Sequence, residues 1–296
     1  NELTNFPYLF ISVATFQSIL GILQFLLKRN LGIIAESSSF FYPFGFTAVE
    51  EENLFRITGG FGHPNMFAIV LIVLIPFVFL FKNKWVNTLK IICLLVLFFT
   101  YSRAAWFIGF PLFFLLFLKF HPHFTRRVLL EKIWLKVAVF VLLIIFLWPS
   151  LSVRLQTIPQ AFSEYGSFDV RVKLLQEGLN LIQQYPLTGI GINRFQQVAA
   201  ENNVTEIFIR NGFSSATKLH NLYAEMAVEI GLPGIFIFLL FLLSVFIKYF
   251  KKKKKESIHI VAFYSFVGLI IIAGFHPFYL ISQFRLFFLL AAIILA

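Results

Sequence analysis

Long apolar runs dominate this chain, and short polar hairpins separate them. Phe6 to Leu27, Met66 to Phe81, Leu89 to Tyr101, Ala104 to Phe120, Val137 to Pro149, Ile230 to Ile247, Ile260 to Phe275 and Ser282 to Ala296 carry almost no charge. The helices of a soluble domain interleave polar positions at a period of about 3.6, and these runs do not. Crossing about 30 Å of hydrocarbon takes about 20 residues. The pattern predicts an all-α, polytopic transmembrane helix bundle of about eight spans, the third and fifth short enough to borrow flanking residues. Composition agrees, with 59% hydrophobic residues, 13% charged residues and 42 Phe. The chain starts at Asn1 and ends inside the apolar stretch Leu286 to Ala296, as expected of a fragment of a longer protein.

Charge adds direction. Lys82, Lys84 and Lys90 share one hairpin, Lys119, Arg126, Arg127, Lys132 and Lys136 another, and Lys248 with Lys251 to Lys255 a third. The positive-inside rule makes these three cytoplasmic and turns the segments around 56–65, 101–103, 149–219 and 276–283 outward. Lys28 and Arg29 then sit at an outer helix end, against the rule, so they meet an anion there or the first span is misread. The lysine run reads first as a topology anchor, and the net charge of +11 follows from the same bias, with no nucleic-acid partner implied.

The outer segment 149–219 is the one stretch of ordinary soluble composition, a large loop inserted into a single transmembrane domain spanning 1–296. Within it Val172, Leu175, Leu179 and Ile182 fall at helical spacing, Asp169 is placed to cap the start and Pro186 to stop the end. A helix there presents Arg171 near its N-terminus.

Few residues offer chemistry. Cys93 is the single cysteine, so neither a disulfide within the chain nor a Cys-based metal site is possible. Arg103 follows Ser102 at the outer end of a span, where a permanent charge snorkels or meets an anion. Arg56 precedes the loop Gly59-Gly60-Phe61-Gly62-His63-Pro64-Asn65; its glycines let backbone N–H groups approach a phosphate, but the Lys-Ser/Thr pair of a P-loop is missing and a re-entry turn is the plainer interpretation. His220 is the best placed proton carrier, at the junction of the outer loop and a span, although a lone interfacial histidine is ordinarily structural. His-Glu-x-x-His is absent, and Glu225 and Glu229 lie off the helical spacing that would join His220 in a metal site. Gly231, Pro233 and Gly234 break the helix that follows, which a bilayer tolerates where the break lines a cavity or is enclosed in protein.

Taken in order, Arg56 with Gly59 and Pro64-Asn65, Thr100-x-Ser102-Arg103, Asp169-x-Arg171, Pro186-x-x-Gly189-x-Gly191, His220-Asn221 and Glu229-x-Gly231-x-x-Gly234 resemble the O-antigen ligase and O-antigen polymerase superfamily. The resemblance covers about residues 55–250. It implies a multi-pass enzyme of the bacterial inner (cytoplasmic) membrane with its active site facing the periplasm or cell exterior. Such an enzyme moves a glycan from undecaprenyl diphosphate to a hydroxyl of a lipid, glycan or protein acceptor, without metal or other cofactor. Carried over by position, Arg103 and Arg171 hold the diphosphate, Arg56 joins them with a less defined role, and His220 is the catalytic residue, activating the acceptor. Asn221, Gly189, Gly191, Gly231 and Gly234 are supporting positions. Ala104 stands where the family often has Gly, and family members usually carry more spans. A polymerase of the same superfamily and a lipid-linked-sugar flippase are the alternatives, the latter requiring paired broken helices where this sequence has one.

Overall fold

In the computed structural model, the residues described are 6–29, 31, 55–61, 63–120, 148, 152, 167–204, 208–210, 213–215, 218–276 and 281–296. They form helices α1 (Phe6–Leu27), α2 (Pro64–Val78), α3 (Lys84–Phe99), α4 (Arg103–Phe120), α5 (Ser167–Gln184), α6 (Phe195–Glu201), α7 (Leu222–Lys251), α8 (Ser257–Ala273) and α9 (Ile281–Leu295). An antiparallel ribbon of β1 (Phe208–Arg210) and β2 (Phe213–Ser215) pairs Ile209 with Ser214 and is the one departure from helix among them. Of these helices α1, α4 and α7 are long and apolar enough to cross a membrane, while Pro64–Val78, Ser257–Ala273 and Phe284–Leu295 are shorter apolar helices. The protein is thus a helical membrane protein; the expected span at 137–149 lies outside the described residues apart from Trp148.

The chain divides into two compact units, Asn1–Ile158 with Glu256–Leu269, and Pro159–Lys255 with Ile270–Ala296. In the first, α2 is the central element. Its side chains from Met66 to Val78 are buried almost throughout, since α1, α3 and α4 pack around it. Within a bilayer apolar contact with lipid is no worse than with protein, so close approach decides helix pairing. Gly21 and Gly268 provide it: a Cβ on Gly21 would lie 3.0 Å from Val96, and one on Gly268 2.7 Å from Ile72. Pro76 interrupts the hydrogen bonding of α2, and beside that gap the Ser265 hydroxyl donates to the Val73 carbonyl at 2.8 Å. Such a bond keeps a polar group satisfied where no water reaches.

The two ends of this unit differ in chemistry. At one end Tyr8 packs against Phe81, Asn83 caps α3 by accepting from Val86 N–H at 2.8 Å, and the Lys90 ammonium reaches the Phe81 carbonyl at 3.2 Å. At the other, the C-terminus of α1, the loop 55–61, the end of α3 and the start of α4 meet. Lys28 therefore does sit at the end opposite the lysine hairpin, with its backbone left-handed (φ 51°) and its ammonium 3.6 Å above the Phe25 ring. The first span is retained, and cation–π contact with Phe25 gives the charge a partner in its own helix.

In the second unit α5 and α6 pack on the N-terminal part of α7, and α9 packs along α7 through Phe238 against Phe284 and Phe287. The small core under α5 consists of Leu174, Leu181, Phe195, Ala199, Ala200, Leu219 and Val228. This corrects the expected face of α5. Val172, Leu175 and Leu179 are exposed, as is Phe168, whereas Leu174 and Leu181 are buried and Val170 and Ile182 partly so. The helix has two apolar stripes, and the docked one is marked by Gly178, where a Cβ would stand 2.7 Å from Leu219. Asp169 is likewise not the cap; it lies in the first turn, pairs with Lys173 at 2.7 Å, and favours the helix through its charge near the N-terminus.

Candidate functional site

The polar end of the first unit pairs most of its groups internally, and among the described residues the buried Ser102 Oγ is left without a hydrogen-bond partner. Gln24 of α1 accepts from the N–H groups of Thr58 (2.9 Å) and Gly59 (2.8 Å) and donates to the Gly59 carbonyl (2.9 Å), and Gln17 accepts from Gly60 N–H at 2.8 Å. The glycine loop thus gives its N–H groups to two glutamines and not to an incoming phosphate. Gly59 has φ 56°, and a Cβ there would lie 2.7 Å from Gln17 and Phe67, so glycine is needed for both conformation and space. Arg56 is 4% exposed; its Nε donates to the Thr100 carbonyl and its NH2 to Asn65, each at 2.9 Å. His63 caps α2 by accepting from Asn65 N–H at 3.1 Å. Arg56 therefore braces the turn Thr100-Tyr101-Ser102, in which Tyr101 takes a left-handed backbone (φ 51°) and from which Arg103 starts α4, half-buried. Gln17 and Gln24 were not among the residues singled out from the sequence. Two amides seven residues apart on one face of an apolar span were the available signal.

In the second unit, sequence motifs far apart become one interlock. The helix α7 is broken at Gly231 (φ 73°, ψ 174°), which leaves the carbonyls of the preceding turn without intrahelical partners. The turn following α5 supplies them: Ile190 N–H donates to Val228 O at 2.9 Å and Gly191 N–H to Glu229 O at 3.0 Å, while Leu232 N–H returns a bond to Pro186 O at 2.8 Å. Contact is backbone to backbone. A Cβ on Gly189 (φ 65°) would stand 2.5 Å from the Glu229 carbonyl, and one on Gly231 2.5 Å from the Leu187 carbonyl, so both must be glycine. Pro233 falls in the first turn after the break, where its missing N–H is not needed. Gly234 has a different cause: a Cβ would meet the Ile230 side chain at 2.6 Å.

This interlock carries a histidine in a held position. His220 has a left-handed backbone (φ 58°), a conformation costly for a non-glycine residue that persists where its surroundings enforce it. Before it, Lys218 pairs with the buried Glu225 at 2.8 Å, and Leu219 is buried against Gly178. After it, the Asn221 side chain caps α7 by accepting from Ala224 N–H at 3.1 Å. Tyr223 fixes the same turn of α7 by donating to the Ile270 carbonyl at 2.7 Å. Among the described residues the buried Nδ1 of His220 has no hydrogen-bond partner. Burial, and then repulsion from the Arg171 guanidinium, lower its pKa from the usual 6.5 to about 4, so the ring is neutral at pH 7.

Arg171 and His220 are thus brought together with Gly189, Gly191, Gly231 and Asn221, while Arg56 and Arg103 share the other unit. On α5, Arg171 projects between the docked face (Leu174, Gly178) and the exposed apolar stripe (Phe168, Val172, Leu175, Leu179), away from Asp169, Lys173, Gln176 and Asn180. Glu225, weighed in the sequence only against a metal site, is instead the partner of Lys218. A family model described as O-antigen ligase matches residues 88–239, more than half of the chain. The chain belongs to the O-antigen ligase family. No curated protein matches it. The O-antigen ligase match takes in Arg103, Arg171, His220 and both halves of the glycine interlock but stops short of Arg56, narrower than the 55–250 expected from motifs alone. O-antigen ligases are glycosyltransferase-like membrane proteins acting on a lipid-linked glycan and an acceptor.

Proposed function

We propose that this protein transfers a glycan from undecaprenyl diphosphate to an acceptor hydroxyl at the periplasmic face of the bacterial inner membrane. The observation that carries this reading is a partly buried, neutral His220, whose buried Nδ1 has no partner among the described residues, within the electrostatic reach of the permanently charged Arg171. An anion holder beside a proton acceptor is what this reaction needs. The apolar stripe next to Arg171 suits a donor whose charged head continues into a hydrocarbon tail.

The acceptor O–H donates to the His220 imidazole, and its oxygen attacks the anomeric carbon opposite the diphosphate. The glycosyl C–O bond breaks, its electron pair stays on the diphosphate oxygen, and the proton resides on His220 before returning to water. The leaving group is a weak base and departs without a general acid, while Arg171 offsets its charge bidentately. Attack from the opposite face inverts the anomeric centre, and no step calls for a metal. The donor also corrects an apparent weakness, since a base with pKa about 4 is feeble. Burial, the larger cause of the lowering, remains, but a diphosphate on Arg171 offsets the second cause, repulsion from its guanidinium, and so raises the basicity of His220 when the acceptor is present. Arg56, turned inward, positions the Ser102-Arg103 turn.

We place about eight spans in this chain, with the lysine hairpins cytoplasmic and the segment 149–219 a large periplasmic loop. Support comes from the opposed polar and lysine-rich ends of the first unit. The test is transfer from a labelled undecaprenyl-diphosphate glycan in proteoliposomes. His220→Ala and Arg171→Ala each abolish it while membrane insertion stays intact, and full activity in either variant contradicts the assignment. Competition between a lipid A core acceptor and a second lipid-linked repeat distinguishes ligase from polymerase.

A further inference from the structure

The turn that latches onto Gly231 has an outer side that the proposed chemistry does not use. Leu187 is 73% exposed and Ile192 79% exposed, although their neighbours Gly189, Ile190 and Gly191 are partly buried against α7. Tyr185 is also exposed, at the start of the turn, and Arg194 is exposed two residues beyond Ile192. Two large aliphatic side chains pointing outward from a rigid turn, with a tyrosine and an arginine on either side, have the composition of a membrane boundary.

The position of the turn strengthens this. Pro186 O accepts from Leu232 N–H at 2.8 Å, so the turn is fixed at the first residue of the apolar half of α7. From there Leu232, Phe236, Ile237, Leu239, Leu240 and Leu243 are all exposed, as the lipid-facing side of a span must be. Leu187 and Ile192 continue that apolar surface past the break, onto a segment outside the helix.

We infer that the turn Tyr185–Ile192 is a membrane anchor, with Leu187 and Ile192 inserted at the outer hydrocarbon boundary and Arg194 at the phosphate level. The anchor fixes the depth of the Gly231 break and thereby the height of the outer part of α7, which His220 precedes, on the outer side of the hydrocarbon. The inference rests on α7 spanning the bilayer, and the experiment separates the two.

Single nitroxide labels are attached to cysteines replacing Leu187, Ile192, Asn180 or Leu240 in the full chain reconstituted in bilayers. Cys93 is buried, and the unsubstituted protein gives its labelling background. Collision with oxygen and with a water-soluble nickel chelate is then compared. The anchor predicts oxygen-favoured relaxation at positions 187 and 192, shallower than at 240, and chelate-favoured relaxation at 180 on the polar side of α5. A buried label at 240 with aqueous labels at 187 and 192 overturns the anchor alone. Labels at 187 and 192 shielded from both reagents mean that protein covers the turn, which overturns it too, and an aqueous 240 removes the spanning helix and the anchor together. As a second arm, Leu187→Asp with Ile192→Asp is expected to lower transfer at least tenfold in bilayers and to leave the label at 240 unchanged; undiminished transfer would count against the anchor.

Discussion

The polar end of the first unit and the His220 region of the second both place glycines, arginine and amides at a helix end, yet they differ in the group left without a partner among the described residues: the Ser102 hydroxyl in the first, the His220 imidazole and one oxygen of the Glu225 carboxylate in the second. Around Gly59 the amides of Gln17 and Gln24 take up the loop N–H groups, and Arg56 is spent on Thr100 and Asn65. Around Gly231 the backbone is equally well paired, but among the described residues the buried His220 Nδ1 and Glu225 Oε2 have no hydrogen-bond partner, and His220 takes a left-handed backbone. Of these groups the imidazole is the one suited to accept a proton near neutral pH, which is why the proposed chemistry is placed there.

Breaking the frame of the second region has the largest expected effect. Lys218→Met leaves the Glu225 carboxylate buried without its cation, a change worth about 3–5 kcal/mol. Thermal unfolding in detergent is expected to show the loss, and Lys218→Met with Glu225→Met to recover most of it. An unchanged Tm in the single variant would mean the pair does not hold the His220 turn.

Acid sharpens the contrast. The folded-state pKa of His220 lies below its ordinary value, so the unfolded chain binds the proton more readily. Its stabilising contribution is complete above about pH 6.5 and shrinks as pH falls toward 4, by roughly 1.4 kcal/mol per pH unit. His220→Gln is expected to flatten the dependence of Tm on pH across that window, and an equal slope in both proteins contradicts the burial of a neutral ring.

Smaller effects probe the two glycine joints. Gly189→Ala places a Cβ against the Glu229 carbonyl at a left-handed φ, costing about 1–3 kcal/mol and lowering transfer along with Tm. Gln24→Leu leaves the N–H groups of Thr58 and Gly59 unpaired, about 1–3 kcal/mol for each. Here Tm falls while the KM for the acceptor stays constant. Loss of transfer at unchanged Tm would instead make the first region part of the chemistry.

The helices were legible because lipid-facing segments carry their apolar character without a period, and hydrophobic length alone finds them. The break in α7 was legible too, from Gly231, Pro233 and Gly234, though the sequence does not say which residue bends. The fold assigns the bend to Gly231 and reduces Pro233 to a compatible neighbour. The docked face of α5 was misassigned because Val172, Leu175 and Leu179 have the same spacing as Leu174 and Leu181; only Gly178, with its close approach to Leu219, distinguishes the stripes. The pairing of 186–191 with 228–232 joins segments about forty residues apart through backbone atoms, which leave no side-chain pattern to read.

The central claim is a division of labour, with Arg171 holding the donor and His220 serving the acceptor. Binding of tritiated undecaprenyl diphosphate to the protein in nanodiscs, measured for wild type, His220→Ala and Arg171→Ala, tests it most directly. The Kd for His220→Ala is expected within a few-fold of wild type despite abolished transfer, and that for Arg171→Ala is expected to rise at least tenfold. Wild-type affinity in Arg171→Ala, or lost binding in His220→Ala, would contradict it.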